Sequence, residues 1–344
     1  MKPRLILLLG ICFGLFAFKA VTEVFFYVPQ NWPKPVYDFY KNALSQNKIE
    51  LGRALFYDPV LSRNNTISCA SCHSQYNSFT HADHALSHGI EDKIGFRNSP
   101  ALINLAWQKL FMRDGAVNHL DMQALSPISN SVEMDENMPH VVAKLQATTL
   151  YPILFQNAFG DSIITGERTL KALSQFMLTL VSCNAKYDSV LRNQATFTEQ
   201  ESRGYKLFKI NCATCHTEPL FTNDKFMNIG LPMDTTLTDL GRYTVTHNLA
   251  DSFAFKVPTL RNIEFSYPYM HDGRFKKLAD AINHYTAHKN KTQSQASQLQ
   301  VPITQSSSER VDIIAFLLTL TDKSFIFNPN FSYHPALLLP KPKN

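Results

Sequence analysis

The chain has 344 residues, of which 44% are hydrophobic and 18% charged, enough apolar material for two domains of ordinary size. Only 12 glycines and 18 prolines exclude a collagen-like or broadly disordered polymer. The formal charge of +5 is spread along the sequence without a dense basic run, so nucleic acid is not an expected partner.

The chain opens with "MKPR", followed by an unbroken apolar run over residues 5–18. Positive charge before an apolar stretch of this length is the pattern of an export signal. No small-x-small cleavage site follows, and apolar residues continue to Tyr27, so residues 1–27 read as a signal peptide or an N-terminal membrane anchor. Either way the expected location is the periplasm. Cys12 falls inside this run, and no later segment is apolar enough to span a bilayer.

After a polar, proline-bearing entry over residues 31–46 comes "NTISCASCHSQ" at 65–75, and "INCATCHTEP" at 210–219 repeats its Cys-x-x-Cys-His core. This is the attachment signature of c-type haem. Two intervening residues let one turn of chain match the two vinyl groups at a porphyrin edge, and the following histidine then lies under the ring to ligate iron. Zinc in a Cys₄ site is the first rival, disfavoured because Cys72 and Cys212 are far apart and each pair has its own histidine. A redox disulfide is the second, and no βαβ pattern surrounds either motif. The reading is two covalent haems: Cys69, Cys72 and His73 hold one, and Cys212, Cys215 and His216 hold the other. Cys183 reads as a buried structural thiol.

The flanks of the motifs echo one another, "LGRALF" before the first and "RGYKLF" before the second, each Gly-x-x-Leu-Phe. A duplicated cytochrome-c-like unit follows, with domains over residues 36–195 and 196–331 in tandem. The fold class is mainly α. Residues 81–101 read as a histidine-rich loop, 138–159 and 166–191 contain helical stretches, and Thr198 with Glu201 forms a capping box at the start of the second unit. A polar Ser/Gln-rich loop over 288–309 precedes a last apolar helix, "RVDIIAFLLTL".

The runs "ELGRALFYDPVLSRNNTISCASCH", "GFRNSPALINLA", "RDGAVNHLDMQALSPISNSVEM" and "VPTLRNIEFSYPYMHDGRF" resemble the bacterial di-haem cytochrome c peroxidases and their relative MauG over roughly residues 50–320. The resemblance implies a peroxide-binding haem in the N-terminal domain and an electron-relaying haem in the C-terminal one. It places Glu133 and Gln123 on the distal side of the first haem as catalytic residues. A peroxide bound to iron must lose a proton from one oxygen and gain one on the other, which a positioned carboxyl performs for roughly 10²–10⁴ in rate. By the same pattern His88, with His81 and His84 as competitors, lies in the loop that caps the first iron in some relatives. Tyr285 stands where the sixth ligand of the second haem falls, with Met270 as the alternative, and His271 is a haem-pocket residue. Tyrosine at this position matches MauG, whereas typical peroxidases have methionine.

Two implications concern the region between the haems. Where many relatives carry tryptophan before "DG", this chain has Arg113, whose guanidinium is not readily oxidised; Trp107 or a tyrosine is the substitute route. Relatives also bind calcium, through positions that map here to Asn98, Ser266 and Pro268. The expected activity is reduction of hydrogen peroxide to water with electrons from a small cytochrome c or cupredoxin, and relatives often form homodimers. The alternatives are a MauG-like oxidase acting on a protein side chain, and a non-catalytic di-haem electron carrier. A carrier has no need of the Gln123/Glu133 pair.

Overall fold

The computed structural model describes residues 24–287, 293–333 and 335. Two helix pairs carry the architecture: α1 (Gln46–Tyr57) crosses α2 (Gly166–Leu178), and α3 (Glu199–Asn211) crosses α4 (Ser307–Leu318). Each helix starts on a hydroxyl cap. Ser45, Thr165, Thr198 and Ser306 accept from the backbone N–H three residues on, and Glu201 and Glu309 complete the boxes at α3 and α4. Such caps stabilise a helix by about 1 kcal/mol each.

The echo in the sequence is the crossing itself. A Cβ on Gly52 would lie 1.9 Å from the carbonyl oxygen of Ala172, and one on Gly204 would lie 1.9 Å from that of Asp312. Only glycine permits backbones to meet this closely. Four residues later in each copy, Phe56 packs on Phe176 with ring centroids 5.1 Å apart, and Phe208 on Phe316 at 5.0 Å. The chain is thus mainly helical and built from two units that repeat the same helix crossing.

Each crossing seeds a hydrophobic core. The first gathers Leu51, Leu55, Phe56, Phe79, Phe155 and Phe176, and the chain returns at Phe325, Ile326 and Phe331 to close it. The second is built on Tyr187, Phe208, Phe221 and Phe316. Val24 and Phe26 pack against the first core, so the end of the expected 1–27 segment joins the folded body; its earlier part, with Cys12, lies outside the described residues. Among the described residues no helix is long and apolar enough to cross a membrane. Strand content among them is one antiparallel pair, β1 (Phe226–Met227) with β2 (Phe255–Lys256).

The helical stretches expected within residues 166–191 are two, separated by a short non-helical segment. α2 ends at Leu178 and helix resumes at Lys186–Leu191. Asp322 takes the backbone N–H groups of Cys183 at 3.0 Å and Asn184 at 2.8 Å, giving the chain a partner that competes with helix continuation. Cys183 is buried beside it, as expected of a structural thiol.

Candidate active site

Both Cys-x-x-Cys-His motifs close a short turn. The His73 N–H bonds to Cys69 O at 2.9 Å, and that of His216 to Cys212 O at 2.9 Å. Beyond the turn each imidazole is pinned by Nδ1. His73 donates to Phe79 O at 2.8 Å, and His216 faces Phe221 O and Pro258 O, both at 3.1 Å. A carbonyl oxygen can only accept, so Nδ1 carries the hydrogen and Nε2 keeps its lone pair. Burial pushes both imidazoles down to about 4, so they are neutral at physiological pH. A neutral ring with an available Nε2 and an anchored Nδ1 is the form that ligates a metal.

The motif cysteines are free of disulfides. Burial pushes the Cys69 and Cys212 thiols up to about 12 and that of Cys72 to about 11, which opposes a thiolate metal cluster. Among the described residues no group of three or more His, Cys, Asp or Glu is arranged to hold a metal ion. A cavity of about 660 Å³ instead runs between the motifs, lined by Cys72 and His73 on one side and Cys212, Cys215 and His216 on the other. Its walls include Leu102, Leu105, Leu260, Ile263 and Leu317. Paired thiols, an iron-competent imidazole and an apolar wall fit a covalently held porphyrin at each end.

Glu133 and Gln123 line the same cavity as His73. Glu133 ends a tight turn in which its N–H bonds to Asn130 O at 3.0 Å, and Asn130 Nδ2 donates to Glu133 Oε1 at 2.7 Å. Burial holds its carboxyl above the usual glutamate range, and the Asn130 hydrogen bond opposes that shift. The loop carrying His88 braces the turn from behind: Ile90 N–H bonds to Glu133 O at 2.7 Å, and Gly89 packs so closely that a Cβ would meet Val132 O at 2.0 Å. Gln123 ends the Leu120–Gln123 turn, its Nε2 3.6 Å from Met112 Sδ.

The other expected residues divide. Tyr285, Met270 and His271 line the same cavity, with Tyr285 beside the second motif's cysteines. Burial raises the Tyr285 phenol well above its ordinary value, and the neighbouring Cys212 and Cys215 add to the shift. His271 stacks on Phe255 at 3.8 Å with the rings 13° apart. His88 is not among the lining residues; its Nδ1 lies 2.6 Å from Asp92 and its ring stacks on His84 at 4.3 Å. Trp107 is also not among the lining residues; it packs against Trp32 and Phe26, with Nε1 donating to Pro33 O.

Asn98, Ser266 and Pro268 all line the cavity, with Arg113 among them. Arg113 donates from Nε to Asn98 O at 2.7 Å and from Nη2 to Asn98 Oδ1 at 2.9 Å. Burial lowers its guanidinium to about 10, and nearby Arg97 adds to the effect; the group stays charged at neutral pH. Residue-type reasoning missed Asn130, although its place three residues before Glu133 is a turn-forming spacing that would have flagged it. It also missed Arg97, held between Asp114 at 2.6 Å and Asp239 at 2.7 Å, for which no local signal exists.

Two haem-type attachment motifs facing one cavity within duplicated helical units define a di-haem c-type protein. Residues 46–196 match the family described as di-haem cytochrome c peroxidase, and residues 201–321 match cytochrome c. The chain is 36% identical to the methylamine utilization protein MauG of Methylorubrum extorquens, over 88% of this chain and 84% of that protein. It is 34% identical to a cytochrome c551 peroxidase of Nitrosomonas europaea, over 79% of each. Among solved structures, a MauG-like protein associated with microbial copper homeostasis superposes with a TM-score of 0.79 at 30% identity, covering 89% of this chain and 97% of that one. The chain belongs to the di-haem cytochrome c peroxidase and MauG family, and that membership implies haem c at its motifs.

Proposed function

We propose that the protein is a periplasmic peroxidase that reduces hydrogen peroxide to water with electrons from a small redox protein, a cytochrome c or a cupredoxin. The observation that carries this reading is the half-buried Glu133 carboxyl, held by Asn130 in the wall of the cavity that His73 also lines. Haem held by His73 with Cys69 and Cys72, and by His216 with Cys212 and Cys215, would supply the two-electron redox chemistry. The chain supplies the rest. Glu133 accepts a proton from one peroxide oxygen and returns it to the other, so that the departing oxygen leaves as water. Gln123 orients the peroxide from the same wall. The Phe79 carbonyl fixes the His73 ring for its iron, as the Phe221 and Pro258 carbonyls fix His216.

A second reading has its own observation. Tyr285 lines the cavity beside the second motif, and a tyrosine there is the MauG-like feature. It favours an oxidase that uses peroxide to oxidise a side chain of a partner protein.

One experiment separates the readings. The purified di-haem protein is given hydrogen peroxide with and without a reduced small cytochrome, and peroxide loss and donor oxidation are followed together. A peroxidase consumes two donor electrons per peroxide over many turnovers. An oxidase leaves the donor reduced and marks a partner protein by a mass change. A protein that consumes no peroxide under either condition is a carrier, and the proposal fails.

A further inference from the structure

We propose that Arg113 is the resident cation of the pocket for which the family resemblance leads one to expect calcium, and that this chain holds no divalent ion there. The guanidinium is half-buried and grips one residue twice, taking both the carbonyl oxygen and the side-chain oxygen of Asn98. Its remaining contact is a long one, to Ser99 O at 3.5 Å. These oxygens are all neutral, as the carbonyl ligands of a calcium site often are.

The other polar groups of Asn98 face the chain. Its N–H donates to His271 O at 2.7 Å, and its Nδ2 donates to Ala85 O at 3.1 Å. Arg113 therefore fastens the Asn98 turn, which is itself bonded to the segment carrying Ser266, Pro268 and His271. A calcium ion bridging the same elements would perform that task.

The acids around the pocket fit a guanidinium better than a second cation. Asp239 is held by Arg97 at 2.7 and 2.8 Å, Asp114 by the same arginine at 2.6 Å, and Asp272 by Arg274 at 2.8 Å. Calcium takes six to eight oxygen ligands and gains affinity from carboxylates. Here those carboxylates already have arginine partners. An ion on Asn98 Oδ1 would also share that oxygen with a half-buried positive group, and like charges at such a short separation repel. Two departures from the family pattern, arginine for tryptophan and a changed cation site, thus come from one substitution.

The test is metal content and chelation on the di-haem protein as isolated. Elemental analysis should find calcium well below one ion per chain, and EGTA should move neither the haem absorption bands nor the melting temperature. Arg113→Ala removes the resident charge and frees both Asn98 oxygens. Calcium titration of that variant should raise its melting temperature, with half-saturation at about 10⁻⁴–10⁻³ M, as in other weak extracellular sites. One calcium per wild-type chain with an EGTA-sensitive spectrum would overturn the proposal. So would an Arg113→Ala protein that keeps both haems and shows no response to calcium. The wild-type measurement needs no variant and decides the matter if the substitution prevents folding. Neither readout uses peroxide turnover, so the outcome is independent of the proposed activity.

Discussion

Asn130 and Glu133 form a closed unit: the Asn130 amide donates to the Glu133 carboxyl at 2.7 Å, while Asn130 Oδ1 takes the N–H of Val132 at 3.1 Å. The amide is thereby oriented with its NH₂ toward the carboxylate, stabilising the ionised form against the opposing effect of burial. Glu133→Gln keeps the shape and removes the proton carrier. Peroxide turnover should fall by roughly 10²–10⁴ with both haems still attached. Steady-state kinetics with a haem stain of the purified variant checks both halves, and unchanged turnover would remove Glu133 from the mechanism.

The same pair predicts a pH effect. Glu133 must be ionised to accept a proton, so kcat/KM for peroxide should fall as pH drops through its raised pKa. Asn130→Ala deletes a bond that favours the ionised form, so the pKa rises further and the acidic limb moves to higher pH. Hydrogen bonds to charged groups contribute about 1.5–3 kcal/mol, and with water filling the gap a move of about one pH unit is expected. A limb that stays in place, or moves to lower pH, would contradict the assignment.

Gly52 and Gly204 make a paired prediction. Alanine favours a helix over glycine by about 1 kcal/mol. At these two positions the new Cβ would meet a backbone carbonyl at 1.9 Å, and a backbone cannot rotate away. Overpacking of this kind costs about 1–3 kcal/mol or more, so the clash wins and both variants should melt at lower temperature. Gly166→Ala is the control. There the nearest atom is the flexible Met138 Cε at 3.3 Å, so the melting temperature should hold or rise.

These contrasts explain what was legible in the sequence. Cys-x-x-Cys-His, the Thr198/Glu201 box and the Gly-x-x-Leu-Phe echo depend on neighbours within a few residues, and each appears in the structure as local spacing implies. The gap between Leu178 and Lys186 was hidden because its cause, Asp322, lies about 140 residues further on. The hold of Arg113 on Asn98 was hidden for a related reason. Residue type showed what arginine cannot do in place of tryptophan, but only the folded chain shows which oxygens it takes instead.

Arg261 and Asp188 test the second core. Arg261 is fully buried and bonds Asp188 through Nη1 at 2.9 Å and Nη2 at 2.8 Å, with its guanidinium 4.7 Å from the Trp32 ring. Removing one member of a buried pair strands the other charge, at a cost of about 3–5 kcal/mol. Arg261→Met should therefore destabilise strongly. The double variant with Asp188→Asn should be more stable than the two single losses added together. Melting followed at the haem absorption band measures all three, and simple additivity would show that the pair is not coupled.

Tyr285 decides between the two proposed activities through a physical property of the second haem. A phenolate is a hard anionic donor that stabilises ferric iron, whereas a thioether raises the potential. Burial and the neighbouring Cys212 and Cys215 raise the phenol well above its ordinary value, so ligation as phenolate would need the iron to draw off its proton. Tyr285→Met exchanges one donor type for the other, and Tyr285→Phe deletes the donor while keeping the ring. If Tyr285 is the ligand, a potentiometric titration of Tyr285→Met should show one of the two haem midpoints rising while the other stays in place. Tyr285→Phe should change the absorption spectrum of that same haem. If both variants keep wild-type potentials and spectra, Tyr285 only lines the wall, and the MauG-like reading loses the observation that supports it.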